Sequence, residues 1–270
     1  MGVTGGKDRV VVVTGASHGV GVETAAELLG QGANVVLAES DRAWRASRVR
    51  ELVEAFGRDR VLAQRVDVTD AFALLELRDT VHERFGTVDA VVVGVGVASW
   101  DAFEDAVPGE WASMLNTNVS GMLQTAHVFA RDLIESATDG VADLLFVGAL
   151  VGSVAYPRWS VFAAVSAAIG QLAVSLRQEL GPRGVRVHQV QPGLTEVDGF
   201  GYDGNARTRR AWNSLIADLP PVPVTTVAHV ITAALQLPAH VNLADMVIIP
   251  TGQDARLPTR LGVDIGESRR

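Results

Sequence analysis

The chain of 270 residues contains no cysteine, which removes disulfides, thiolate nucleophiles and cysteine-ligated metals, and matches a reducing, cytoplasmic setting. Its N-terminus, MGVTGGKDRV, lacks the apolar segment of a secretory leader. No uncharged apolar stretch is expected to approach the roughly 18 residues of a membrane span. Basic residues are in deficit too: 23 Lys and Arg face 31 Asp and Glu, for a formal charge of -8. That balance argues against nucleic acid, whose binding depends on Lys and Arg neutralising phosphates. Arg42, Arg45, Arg48 and Arg50 cluster, but Glu39, Asp41, Glu51 and Glu54 lie among them, so a solvated helix face is expected. His188 and His229 carry no spacing that suggests metal ligation.

What is present is a globular composition, 48% hydrophobic and 20% charged, in a length that suits one α/β domain over 1–270. No repeat, low-complexity tract or linker divides it. Runs of β-branched residues at 9–13, 34–38, 61–66, 88–93, 143–148, 185–189 and 246–249 predict seven strands. Helical spacing between them predicts helices at 20–29, 43–56, 71–85, 110–136 and 159–180. Strands apolar on both faces, alternating with helices, define a doubly wound, Rossmann-type parallel sheet with helices on both faces. The stretch 200–223, with two glycines and three prolines, reads as an insertion or lid.

Between the first strand and helix stands TGASHGVG, Thr14 to Gly21. Glycines at Gly15, Gly19 and Gly21 permit a tight turn, backbone approach to a pyrophosphate and close helix packing, while the helix start offers free N–H groups and positive potential. Ser17, His18 and Val20 belong to the same turn. Glu39 follows the second strand at about the 20-residue distance from which a carboxylate bonds a ribose 2′-OH and repels a 2′-phosphate. NAD is therefore favoured over NADP, in a site that need not be filled.

TGASHGVG resembles the T-G-x-x-x-G-x-G turn of the short-chain dehydrogenase/reductase family. Asp67-Val68 is similar to the family's adenine-contacting pair, Asn118 in NTNVSG falls at its helix asparagine, and Ser175 to Gly193, ending in Pro192-Gly193, is similar to its helix, strand and P-G turn. VIIPTGQ near the end resembles the last strand, and Gly96 keeps the final glycine of the turn after strand four, where Val93-Gly94-Val95 replace the rest. The resemblance implies nicotinamide-dependent oxidoreduction with a Tyr-x-x-x-Lys pair and a serine.

Those residues are replaced. Phe162 stands at the tyrosine position and Ser166 at the lysine position, Ala149 at the serine position, and Val197 replaces the threonine after the P-G turn. Only one lysine, Lys7, and two tyrosines, Tyr156 and Tyr202, occur anywhere, so no Tyr-x-x-x-Lys pair exists. Tyr156 has the most suitable chemistry for a substitute proton donor, beside Ser153, Ser160 and Ser166; packing beside Pro157 is its plainer role. Asn118, without a lysine to serve, is expected to cap or bridge the bend in its own helix, and His127 to sit in an interface or the core.

Three functions follow. The first is a catalytically silent subunit that forms a dimer or tetramer with itself, or a hetero-oligomer with an active relative, through helices 110–136 and 159–180. The second is an enzyme of changed chemistry, a cyclase, isomerase, lyase or weak oxidoreductase, whose Trp100, Trp159 and Trp212 line a site for a small apolar ligand. The third is a nicotinamide-nucleotide sensor.

Overall fold

The structure, a computed structural model, describes residues 9–40, 47–196 and 219–253. Seven strands form one parallel sheet in the order β3-β2-β1-β4-β5-β6-β7. They are β1 (Val10–Thr14), β2 (Asn34–Glu39), β3 (Val61–Arg65), β4 (Ala90–Val93), β5 (Ala142–Val147), β6 (Val185–Pro192) and β7 (Asp245–Ile248). The helices are α1 (Gly19–Gly30), α2 (Ser47–Phe56), α3 (Ala71–Phe85), α4 (Pro108–Met114), α5 (Met122–Asp139), α6 (Ser160–Leu180) and α7 (Val224–Leu235).

Two-residue alternation builds the core. Val10, Val12, Val36, Val91, Val93, Leu144 and Phe146 point to one face of the sheet, where α3, α5 and α6 supply Leu74, Leu77, Phe129, Leu133 and Ile169. Val11, Val13, Val35, Leu37, Val92 and Leu145 point to the other, against Val22, Leu29, Leu52, Val227 and Ile231 of α1, α2 and α7.

Three features depart from expectation. Helix α7 was not foreseen: its β-branched residues favour helix weakly, and packing against α1 makes it helical. The expected helix at 110–136 is interrupted, α4 and α5 being joined by a π-helical turn, Leu115–Gly121. The third departure is α6, where Trp159 to Leu176 runs 18 residues without a charge, long and apolar enough to cross a membrane by length and composition alone. In the fold its Val165, Ile169 and Ala173 are buried, and the helix packs on β6. The 43–46 end of the expected second helix and 200–218 of the expected lid lie outside the described residues. Arg42, Arg45, Val197, Tyr202 and Trp212 do so as well.

At the amino ends of the strands an ionic cluster ties three of them together. Asp143, fully buried on β5, accepts from Arg186 Nε at 2.7 Å and Nη2 at 2.9 Å, lies 2.8 Å from His188 Nε2, and receives Arg9 Nη2 at 2.6 Å. The same Arg186 donates to the Leu235, Leu237, Pro238 and Val241 carbonyls, securing the turn between α7 and β7. That leaves the carboxyl ends of β1 and β4, where the strand order reverses, as the crevice in which such sheets bind ligands.

Candidate nucleotide cleft and its surroundings

The turn from β1 into α1 is fixed by sterics. Gly15 and Gly19 have φ of +71° and +57°, a region that only glycine enters freely. A Cβ on Gly15 would lie 2.7 Å from the Gly94 carbonyl oxygen, and one on Gly21 2.1 Å from the Gly15 oxygen. The glycines thus let three backbone segments touch. His18 caps α1 in extended conformation without a side-chain hydrogen bond, and the first turn holds no acidic residue. The helix start therefore has no carboxylate of its own to answer its dipole, and the turn fits a pyrophosphate.

Glu39 ends β2 beside this turn and is 6% exposed. Its Oε2 accepts from the Ser17 N–H at 3.3 Å and the Ser17 hydroxyl at 2.8 Å, while Oε1 accepts from the Ser40 N–H at 2.8 Å. Asp67, exposed after β3, accepts from the Thr69 N–H and hydroxyl at 2.9 and 2.7 Å. Buried Val68 packs on Gly121 so closely that a Cβ there would meet it at 2.6 Å.

The expectation for Asn118 needs correcting. It lies in the π-helical turn but does not cap or bridge its own helix: Oδ1 accepts from the Val97 N–H at 2.8 Å and Nδ2 donates to the Val97 oxygen at 2.7 Å. It therefore sets the loop after β4, next to Gly96. His127 is exposed on α5, so it is no core histidine.

Ala149 precedes a short 3-10 turn, Leu150–Gly152, at the end of β5. Phe162 and Ser166 are buried one turn apart on α6, and a Cβ on Gly152 would lie 3.0 Å from Ser166 Cβ. Phe162 packs against Trp159 at 5.7 Å between ring centroids, and Trp159 stacks on Trp100 at 4.5 Å. Tyr156 belongs to the same cluster, with its hydroxyl 3.4 Å from Gln253 Nε2. Gln253 Oε1 in turn accepts from the Leu194 N–H at 2.9 Å, and a Cβ on Gly193 would meet it at 2.5 Å, so the Pro192-Gly193 turn is shaped by Gln253. Ser153 donates to Gln191 Oε1 at 2.6 Å. The structure thus gathers Ala149, Tyr156, Phe162 and Ser166 in the loop and helix after β5, and Gly15 to Val20 and Glu39 around the turn after β1. Asp101 and Arg158 join these surroundings with no sequence motif to announce them, and Gln191 and Gln253, which lie inside the segments Ser175 to Gly193 and VIIPTGQ, were not singled out there. No group of His, Asp and Glu among the described residues could hold a metal.

Sheet order and glycine turn together define a Rossmann-type α/β fold. The short chain dehydrogenase family model matches residues 9–206, and the chain belongs to that family. Sulfoacetaldehyde reductase 2 of Chromohalobacter salexigens is 31% identical over 246 residues, covering 90% of this chain and 95% of that protein. Among solved structures, a closed serine dehydrogenase complexed with NADP+ superposes with a TM-score of 0.82 at 24% identity, over 91% of this chain and 96% of that one. A short chain dehydrogenase from Burkholderia cenocepacia in complex with NADP gives 0.76 at 27% identity, over 90% and 97%.

Proposed function

We propose that the chain is a nicotinamide-dinucleotide-binding member of its family that does not perform ordinary carbonyl–alcohol hydride transfer. The observation that carries this is Phe162: the side chain where the family resemblance places a proton-exchanging tyrosine is a buried ring packed on Trp159. Ser166, one turn along, supplies no ammonium to stabilise a phenolate.

A bound dinucleotide would supply the hydride donor or acceptor. The α1 start and glycine turn would hold its pyrophosphate, Glu39 its adenine ribose, and Asp67-Val68 its adenine. Glu39 sits where a 2′-phosphate would meet a carboxylate, which supports NAD over NADP. Ala149 has no hydroxyl to hold a carbonyl oxygen as charge develops; one such donor is typically worth about 3 to 4 kcal/mol. General acid catalysis is worth roughly 10²- to 10⁴-fold.

The role left to such a chain is that of a subunit, assembled with itself or an active relative. On α6, Ala164, Ala167, Ala168, Gln171 and Val174 are exposed, and on α5, Leu123 and His127. Small residues suit close helix approach. A second reading, an enzyme of changed chemistry, draws on Tyr156, whose phenol is held by Gln253 inside an apolar cluster.

The test titrates the purified chain calorimetrically with NAD, NADH, NADP and NADPH, then assays it beside the variant Ala149→Ser, Phe162→Tyr, Ser166→Lys on a carbonyl panel. Binding of NAD without turnover, and turnover gained by the variant, is the expected result. Turnover by the unmodified chain at rates of ordinary dehydrogenases would overturn it.

A further inference from the structure

The loop after β4 and the loop before α6 meet at the carboxyl side of the sheet through two adjacent pairs. Trp100 and Trp159 stack with their planes within 9°. The residue after the first and the residue before the second pair as well, Arg158 Nη2 donating to Asp101 Oδ1 at 3.2 Å. Arg158 holds this position with φ of +73°, the one non-glycine residue with positive φ among those described. Phe162, Met114, Leu150 and Tyr156 belong to the same buried cluster as the stack.

We infer that these two pairs form a latch across a ligand slot, and that the ligand admitted when it opens has a planar, apolar body. A flat ring entering between the two indoles would replace one stacking contact by two, which an aliphatic group cannot do. The ion pair is suited to a latch because it is only partly shielded, with side chains 31% and 16% exposed. Pairs this accessible open at small cost. The left-handed backbone of Arg158 adds to the release, since strain held by the closed arrangement is relieved when the loop lets go. The slot adjoins Phe162, whose ring lies 5.7 Å from that of Trp159, so a ligand there would lie against Phe162. This rests on reading the cleft as a ligand site and not on the absence of hydride transfer.

The experiment uses the full chain and the variants Asp101→Asn, Arg158→Ala and Arg158→Gly, the last accepting the left-handed backbone without strain. Naphthol is the planar probe and cyclohexanol its non-planar control. Asp101→Asn and Arg158→Ala are each expected to bind naphthol about three- to five-fold more tightly than the parent, the range that loss of a partly exposed ion pair gives, and Arg158→Gly to gain less, because it also removes the strain that favours opening. Saturating naphthol should also abolish the exciton signal of the stacked indoles in circular dichroism, a signal that Trp100→Ala removes outright. Equal naphthol affinity in parent and variants, equal affinity for cyclohexanol, or an exciton signal unmoved by naphthol would each overturn the latch. Dinucleotide titration of the same proteins separates the outcomes: loss of nucleotide binding throughout counts against the proposed function, while the naphthol result still decides the latch.

Discussion

Glu39 holds Ser17: a carboxylate at the end of β2 accepts from both the backbone N–H and the hydroxyl of a residue in the glycine turn, 22 positions earlier. On the proposed reading, in which Glu39 would bond the ribose, one carboxylate serves both cofactor choice and turn shape. Replacing Glu39 by Gln should weaken NAD binding and narrow its margin over NADP by roughly ten-fold, a carboxylate's repulsion of phosphate being lost. Calorimetry with both nucleotides checks this; an unchanged ratio would show that Glu39 does not set it.

Gly21→Ala should be the most damaging change in the turn. Its Cβ would stand 2.1 Å from the Gly15 oxygen, which is backbone and cannot swing aside. Loss of nucleotide binding with a lower melting temperature is expected, whereas Gly30→Ala, whose Cβ would meet nothing within 4 Å, should be tolerated.

Asn118→Ala should cost about 1 to 3 kcal/mol, because the Val97 N–H and carbonyl lose their partners where the site is shielded. Chemical denaturation measures it. A neutral result would mean that water or a shifted loop replaces both bonds.

Acid stability should depend on Asp143. Burial pushes its carboxyl up, but hydrogen bonds from His188 and Arg186 and the charge of Arg9 outweigh that and hold it at about 2, against an ordinary 3.8. A depressed folded value gives stability that is present above 3.8 and lost as pH falls towards 2. The loss should be on the order of 2 kcal/mol. Asp143→Asn should flatten that acid limb and, by leaving Arg186 buried with one fewer charge partner, destabilise at neutral pH by about 3 to 5 kcal/mol. Melting curves from pH 2 to 7 test both.

Asp132 should show the opposite sign. Burial raises its carboxyl despite His82 alongside, Nε2 being 3.0 Å from Oδ2. A raised folded value favours the fold below the ordinary 3.8 and loses that contribution as pH rises through the folded value. Asp132→Asn should therefore be neutral or slightly stabilising at pH 7, and a marked loss of melting temperature would refute this.

The alternation of Val10 to Val13, the valines of β2 and β4, and the glycines of TGASHGVG made the sheet and its tight first turn legible in the sequence, because a strand's two faces and a turn's backbone angles are written in neighbouring residues. That the sequence holds no Tyr-x-x-x-Lys pair was legible too, as a matter of residue count. What only the tertiary structure decided lies between distant residues. Asn118 reaches Val97 across 21 positions instead of serving its own helix, Arg158 meets Asp101 across 57, and Asp143 gathers Arg9 from 134 positions away. Helix α7, whose β-branched residues argue locally against a helix, owes its form to α1 in the same way. The reason is physical: local periodicity selects the elements, but an uncommitted polar or aromatic side chain takes its partner from whatever the folded sheet brings within reach, and no spacing along the chain records that choice.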